Sequence, residues 1–352
     1  MKNSEGITAY HCYDEIHKQY VELKKTLNYI EDNRTQIKKF FEENQGDIVF
    51  IACGSSYWMS LSAKSTMKLK SKRNTFAVKA GDIVLNEDEY IGMFRNPVFI
   101  CPSRSGSTGE VLQAIDILKK QYPGAKVFSL IEYENSELEK VSDMCLLLQW
   151  ANEVAVCQTR SFSSLYLSCI LIADIVAGKT VLFEQAEKYI EAAPSLYERD
   201  EPILKEIIEK NDIKTLVSLG SGVQYGVCIE GAYIVIEVAE FASNYFQLFE
   251  YRHGPIVLTD QNTAVFIVSS KKSREYEDKI IHEIKKYTDM VYVVSDKASP
   301  NAQHTFTLEQ DFSDEIVALH FIFCMQSVSY RVAVKHGKNP DEPGDLVPFI
   351  QL

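Results

Sequence analysis

The chain has 352 residues with 46% hydrophobic and 24% charged side chains, which excludes a disordered protein and predicts a globular one with two lobes. Its formal net charge of −12 argues against nucleic-acid binding, because no basic excess is available to displace counterions from phosphates. An anionic substrate would therefore need a local cradle of backbone N–H groups and hydroxyls.

The cysteine pattern and the polar N-terminus indicate a soluble, cytoplasmic protein. The eight cysteines show no C-x-x-C spacing, which favours reduced thiols over disulfides or a zinc site. The first residues, MKNSEGITAYHCYDEI, lack the apolar core of a signal peptide, and no apolar run reaches the ~18 residues of a membrane span. We therefore expect no membrane association.

Four segments follow one another along the chain. Residues 1–45 contain helical spacing of apolar positions and predict an N-terminal helical segment. Residues 46–196 alternate helical patterns with short apolar runs, DIVFIACGSSY, PVFICPSRSGST and AKVFSLIE, which predicts a first α/β lobe with a mainly parallel sheet. Residues 197–336 predict a second such lobe. Residues 337–352, GKNPDEPGDLVPFIQL, predict an irregular tail.

The two lobes repeat one plan. LVSLGSG, AVFIVSSK and MVYVVSD in the second lobe correspond to the three apolar runs of the first. Gly54 and Gly220 are 166 residues apart, and so are Ser103 and Ser269. Coincidence of three apolar strands is the alternative, but the constant offset favours duplication. We predict two three-layer αβα lobes with flavodoxin-like sheets.

Two hydroxyl-rich turns of the first lobe predict a phosphate site. Residues 103–108, SRSGST, lie between a strand and a helix, where unpaired N–H groups and the helix dipole favour an anion. Residues 53–56, CGSS, form a second turn that would open onto the same edge of a parallel sheet. A serine-rich cap without a ligand is the alternative. Neither turn has P-loop or dinucleotide spacing, so we expect no ATP, NAD or other cofactor, and no metal.

An acid in apolar surroundings and a histidine at a bend suggest proton transfer. Glu237 lies in the run AYIVIEVAE, and sixteen residues later comes His253 in the sequence HGP. A desolvated carboxylate should have a raised pKa and act as a base, while a histidine can assist ring opening. The alternatives are an exposed helix face shared by Glu230, Glu237 and Glu240, and a loop histidine without a task.

Five motifs in one order carry a resemblance to a known family. CGSSY, SRSGST, EVAVCQTRSF, IEGAYIVIEVAE and EYRHGP resemble the sugar isomerase (SIS) superfamily, notably the isomerase half of glucosamine-6-phosphate synthase and the fructosamine-6-phosphate deglycases. The resemblance covers roughly residues 40–352 and implies a double SIS fold. It also implies a homodimer with shared active sites, since the family histidine comes from a second subunit, and a tail that closes over the site.

The resemblance assigns roles to individual residues. Glu237 matches the proton-shuttling glutamate and His253 the ring-opening histidine. Arg104 stands where the synthase has glutamine, and Gln158 replaces a serine of the loop that closes over the sugar. The predicted substrate- and phosphate-binding residues are Gly54, Ser55, Ser56, Ser103, Arg104, Ser105, Thr108 and Gln158.

Departures from the synthase narrow the expected reaction. We expect no glutaminase domain, and the two lysines of the synthase are replaced by Ile234 and Pro348. A fructosamine 6-phosphate already carries a nitrogen on C1, so no enzyme lysine is needed to form an imine. The leading hypothesis is a deglycase that releases glucose 6-phosphate and a free amine. The alternatives are an amino-sugar phosphate isomerase or deaminase, and a non-catalytic sugar-phosphate sensor.

Overall fold

The computed structural model describes residues 10–347 and residue 350, in two compact units. The sheet-1 unit comprises Val21–Glu153, Arg160–Glu187 and Val347–Leu352. The sheet-2 unit comprises Met1–Tyr20, Val154–Thr159 and Lys188–Leu346. Each unit is built around one five-stranded parallel sheet.

Twelve α-helices are present in the described part of the chain. They are α1 (His11–His17), α2 (Gln19–Asp32), α3 (Arg34–Glu43), α4 (Gly54–Ser71), α5 (Ala80–Leu85), α6 (Gly109–Gln121), α7 (Glu137–Val141), α8 (Arg160–Val176), α9 (Val181–Lys210), α10 (Tyr225–Ala239), α11 (Arg274–Ile284) and α12 (Asp314–Lys335).

Sheet 1 has the strand order of a flavodoxin-like fold. Its strands are β1 (Ile48–Ala52), β2 (Thr75–Lys79), β3 (Val98–Pro102), β4 (Lys126–Ile131) and β5 (Met144–Leu147), in the order β2-β1-β3-β4-β5. In β1 and β3 every residue is buried, as expected for parallel strands covered on both faces. Phe99 and Val127 face α5 and α6, whereas Phe128 faces Phe41 of α3 with ring centroids 5.5 Å apart. Helices therefore cover both faces of the sheet.

Sheet 2 repeats this arrangement. Its strands are β6 (Thr215–Gly220), β7 (Ser243–Gln247), β8 (Thr263–Val268), β9 (Val291–Ser295) and β10 (His304–Thr307), in the order β10-β9-β8-β6-β7. Read from β7, this is the order of sheet 1. The Ser103 N–H donates to β4 at 2.9 Å, and the Ser269 N–H donates to β9 at 3.0 Å, so residues 166 apart occupy equivalent places. The predicted pair of duplicated α/β lobes is confirmed.

Two apolar helices of the sheet-2 unit pack closely against each other. A Cβ on Gly231 of α10 would lie 2.8 Å from Phe321 Cε1 and 2.9 Å from Met325 Cγ of α12, so glycine permits their approach. The segments Gly222–Ala239 and Asp314–Lys335 are long and apolar enough to cross a membrane, but are 72% and 94% buried in the fold. Core helices of globular proteins share this composition, so these segments are weak evidence for membrane insertion.

Candidate active site

The two hydroxyl-rich turns meet at the point where the strand order of sheet 1 reverses. Strands β1 and β3 are neighbours, and each runs directly into a turn and then a helix, α4 after β1 and α6 after β3. Ligands of open parallel sheets bind beyond the carboxyl ends of the strands at this reversal. The sheet-1 unit therefore brings Gly54, Ser55 and Ser56 to the same edge as residues 103–108.

The turn after β3 is held in one conformation by its own hydroxyls. The Gly106 N–H donates to Ser103 Oγ at 3.0 Å, and the Ser107 N–H donates to Ser105 Oγ at 3.2 Å. Each of these two hydroxyls accepts one bond and can still donate its own hydrogen. Thr108 precedes α6 with an extended backbone and makes no side-chain cap bond to the helix. The turn thus presents hydroxyls next to the positive end of a helix dipole.

Glycine is required at position 106. Its φ is +61°, and a Cβ there would lie 2.3 Å from Ser136 Oγ and 2.7 Å from Ser136 Cβ. The Gly106 carbonyl also accepts from the Leu138 N–H at 2.9 Å. The turn is therefore pressed against the start of α7, which begins after Ser136.

The turn after β1 carries a thiol beside its serines. Ser55 and Ser56 are buried, and Gly54 has φ +52° at the start of α4. Burial, with a contribution from the Glu110 carboxylate, raises the pKa of Cys53 to about 11. The thiol is thus protonated near neutral pH and does not supply a nucleophile.

Arg104 belongs to a buried charge cluster behind the turn. Its side chain is 6% exposed, and Nη1 lies 3.5 Å from Oε1 of the buried Glu153. Its carbonyl accepts from the Glu132 N–H at 3.1 Å. The chain's own carboxylate therefore offsets much of the positive charge that sequence reasoning assigned to phosphate binding.

Glu132 is the unusual member of this charge cluster. Its side chain is fully buried, and neither carboxyl oxygen has a hydrogen-bond partner among the described residues. Burial raises the pKa of Glu132 well above its ordinary value, and Glu153 raises it further, while Arg104 and Arg160 oppose the shift. No sequence pattern singled out Glu132, because the burial of a carboxyl at a strand end depends on distant segments.

In the sheet-2 unit, the hydrogen-bond donors of the equivalent turn are bound by carboxylates of the chain itself. The hydroxyls of Ser269 and Ser273 and the Ser270 N–H, at 2.9 Å, all donate to the carboxylate of Glu277. The Ser270 hydroxyl donates to Asp314 at 2.8 Å. Protein carboxylates therefore occupy the donors that would otherwise face an anion. The assignment of ligand binding to the first lobe stays a prediction.

Glu237 lines a cavity of about 710 Å³ within the sheet-2 unit. The cavity is lined by Tyr233, Ile236, Glu237, Glu240, Phe241, Ala242, Ser243, Pro343, Gly344, Asp345 and Leu346. Glu237 is half-buried and Ile234 fully buried, whereas Ile236 is 42% exposed. The alternative that Glu230, Glu237 and Glu240 share an exposed helix face is wrong for Glu230, because this residue is fully buried.

The structure does not bring Glu237 and His253 together within one chain. Glu237 lies near the end of α10, which leads to the amino end of β7, while His253 follows the carboxyl end of that strand. The five residues of β7 span about 16 Å. His253 is exposed, and so are the nearby Val257 (75%) and Leu258 (81%).

Gln158 lies in a loop of the sheet-2 unit that two acidic residues hold. The N–H groups of Val154 and Ala155 donate to Glu15, and the Val156 N–H donates to the Asp341 carbonyl at 2.9 Å. The Gln158 side chain is half-buried, and its Oε1 has no hydrogen-bond partner among the described residues. Sequence reasoning missed Glu15 and Asp341, since neither is close to the loop in sequence.

Ile350 contacts the first turn of α6, next to the hydroxyl-rich turn after β3. The Gly109 N–H, in the first turn of α6, donates to the Ile350 carbonyl at 3.1 Å. Pro348, predicted to replace the tail lysine of the synthase, lies outside the described residues. Groups of three or more His, Cys, Asp or Glu side chains that could hold a metal ion are absent from the part of the chain that is described.

Comparison with known proteins agrees with the motif-based resemblance. Residues 43–176 match the SIS domain family. Glutamine–fructose-6-phosphate aminotransferase (isomerizing) of Sulfurisphaera tokodaii is 24% identical over 342 residues, 96% of this chain and 56% of that protein. The chain spans between half and two thirds of the length of such relatives.

Solved structures agree as well. Glucosamine-6-phosphate deaminase from Thermotoga maritima superposes with a TM-score of 0.73 at 28% identity, covering 93% of this chain and 100% of that one. Tagatose-6-phosphate ketose/aldose isomerase from Escherichia coli superposes with a TM-score of 0.87 at 21% identity, covering 96% of each chain. The second likeness concerns the fold alone.

We expect Gly106→Ala to weaken the predicted phosphate binding at this turn. The added Cβ overlaps Ser136 and strains a left-handed backbone. The turn must therefore shift by more than the geometry of its hydrogen bonds allows. Calorimetric titration with glucose 6-phosphate should show at least about tenfold weaker binding. Gly124→Ala, where a Cβ meets nothing within 4 Å, is the matched control, and Ser136→Gly should partly restore binding to the variant. Unchanged affinity in Gly106→Ala would refute this role of the turn.

The raised pKa of Glu132 makes stability depend on pH. Above the unfolded pKa of about 4.3, the folded protein retains a proton that the unfolded chain has released, so stability falls by about 1.4 kcal/mol per pH unit until the folded pKa is passed. Glu132→Gln removes this titration, and its stability relative to wild type should rise with pH. Urea unfolding at several pH values measures it, with the exposed Glu89→Gln as control. A difference independent of pH would contradict the expectation.

Proposed function

We propose that this protein, which contains a SIS domain and is homologous to the isomerase part of glutamine–fructose-6-phosphate aminotransferases, is an enzyme acting on phosphorylated sugars. Its proposed reaction is deglycation, the conversion of a fructosamine 6-phosphate to glucose 6-phosphate and a free amine. The observation that carries this proposal is the carboxylate of Glu237 beside a cavity, on a helix where Ile234 replaces one lysine of the synthase.

The phosphate end of the substrate is proposed to bind in the sheet-1 unit. The hydroxyls of Ser55, Ser56, Ser103, Ser105 and Thr108 and the N-terminal N–H groups of α6 are the proposed donors. Arg104 is proposed to hold the turn through Glu153 rather than to act as the main counter-charge. Gln158 is the proposed contact from the loop that resembles the sugar-covering loop of the family.

Glu237 is the proposed base. Its carboxylate would remove a proton from C1 of the open-chain ketosamine, and the electrons of that C–H bond would form the C1–C2 double bond of an enaminol while the C2 oxygen takes up a proton. Return of the proton to C2, with release of the N–H proton, gives the aldose imine, which water hydrolyses to the aldehyde and the amine. The substrate nitrogen stays on C1 until this hydrolysis, so the reaction requires no lysine at Ile234, which is fully buried.

His253 is proposed to open the sugar ring in the active site of a second copy of the chain. Its exposure, its separation from Glu237 by the length of β7, and the exposed Val257 and Leu258 beside it all support an interface there. All eight cysteines are free, which supports action in the reducing cytoplasm.

A second candidate is deamination of an amino-sugar phosphate. The 28% identity to glucosamine-6-phosphate deaminase from Thermotoga maritima, over 93% of this chain, favours it. The same base and phosphate turn would serve, with ammonia as the departing amine.

The decisive assay measures glucose 6-phosphate released from fructosamine 6-phosphates. Wild-type protein should release it, and Glu237→Gln should lower kcat by ~10²–10⁴-fold while adduct binding stays within a few fold. Near-wild-type turnover by Glu237→Gln would mean that another group is the base.

Glucosamine 6-phosphate serves as the comparison substrate in this assay. Release of ammonia from it, without glucose 6-phosphate from any adduct, would replace the deglycase proposal with the deaminase. Glu275→Gln, an exposed glutamate on α11, is the matched control for loss of a carboxylate.

The shared active site predicts complementation between two inactive variants. Glu237→Gln and His253→Ala should each be nearly inactive, but a mixed dimer would contain one intact site. Unfolding and refolding the two variants together should recover up to about a quarter of wild-type activity. If neither the co-refolded nor the co-expressed sample regains activity, then both residues belong to the site of one chain or lie outside the site.

A further inference from the structure

The cavity beside Glu237 has more acidic and apolar character than a sugar-phosphate site requires. Three carboxylates line it, those of Glu237, Glu240 and Asp345, and no lysine, arginine or histidine lies among its described lining residues. Lys338 pairs with Glu240 at 2.6 Å, which offsets one of the three charges. A phosphate dianion would be repelled here, so this cavity does not fit the phosphate end of the substrate.

The remaining walls of the cavity are apolar or aromatic. Ile236 and Leu346 are exposed by 42% and 47%, and Tyr233 and Phe241 complete the surface. Burial and the Glu237 carboxylate raise the pKa of Tyr233, so its phenol stays protonated and can donate. Such walls suit an alkyl chain, and the aromatic faces suit a cation.

One polar group of the cavity has no partner in the structure. Ser243 is 8% exposed, lines the cavity, and its Oγ makes no hydrogen bond to any described residue. A buried hydroxyl without a partner is costly unless a ligand or water satisfies it. This observation is independent of the acidic residues and indicates a polar occupant.

We propose that this cavity is the subsite for the amine half of the substrate, and that it selects amines with a cationic or apolar chain against amines with an acidic one. The inference rests on the proposed function. Glu237 acts at C1, and the amine nitrogen is bonded to C1, so the amine substituent lies next to Glu237. The residual negative charge of the lining then sets the order of preference.

Three adducts of matched chain length test the preference. They are the fructosamine 6-phosphates of 1,4-diaminobutane, pentylamine and 4-aminobutanoate, which end in a cation, a methyl group and a carboxylate. kcat/KM should fall in that order, with about tenfold between the first and last at low salt and less in high salt. The difference should lie mainly in KM.

Charge reversal at the cavity rim provides the specific variant. Asp345→Lys should invert the order of kcat/KM, so that the 4-aminobutanoate adduct becomes a better substrate than the 1,4-diaminobutane adduct. Glu275→Lys makes the same change at an exposed position of α11 that does not line the cavity, and should leave the wild-type order. Equal values for the three adducts, or an order unaffected by Asp345→Lys, would overturn the subsite.

Binding separates failure of the subsite from failure of the proposed reaction. Glu237→Gln retains Glu240 and Asp345, so calorimetric Kd values of the three adducts for this variant should follow the same order. If no adduct is turned over but the order of Kd holds, the deglycase reaction is wrong and the subsite stands. Equal Kd values, or no binding of any adduct, would overturn the subsite whatever the turnover.

Discussion

The hydrogen-bond donors between the third strand and the following helix need an acceptor, and the two units of the protein satisfy this need differently. In the sheet-2 unit, Glu277 folds back onto Ser269, Ser270 and Ser273. In the sheet-1 unit, Gly106 keeps the equivalent turn tight, and the hydroxyls of Ser103 and Ser105 accept from N–H groups of the turn and can still donate their own hydrogens. The two duplicated lobes thus differ at this place, since one turn is bonded to an internal carboxylate and the other keeps hydroxyl donors.

The central strands could be predicted from the sequence, and the edge strands could not. β1, β3 and β4, and their counterparts β6, β8 and β9, are continuous apolar runs because both faces are covered. The strands missed by sequence reasoning, β2, β5, β7 and β10, all lie at sheet edges and are short and partly exposed, as in MCLL and HTFT. Such segments owe their structure to pairing with a neighbour, which no local pattern records.

The candidate site could likewise be predicted only in part from the sequence. Glycine and hydroxyl residues at strand ends could be predicted, since strand–turn–helix geometry is local. The Arg104–Glu153 contact and the burial of Glu132 could not, because they join segments far apart in sequence. Glu237 and His253 were singled out by residue type and local sequence, but β7 lies between them in the fold. The assignment of the histidine to a second subunit comes from the family resemblance and stays a prediction.

Within the proposed function, local charges account for how a chain of net charge −12 can bind an anionic sugar. Near the turn after β3, Glu153 offsets the charge of Arg104, so the proposed attraction for a phosphate comes mainly from hydroxyl and N–H dipoles. The cavity at Glu237 carries an excess of negative charge, which Lys338 offsets in part through its pair with Glu240. Within the proposed function, the acidic lining of this cavity therefore disfavours the phosphate end of the substrate there and favours an ammonium group.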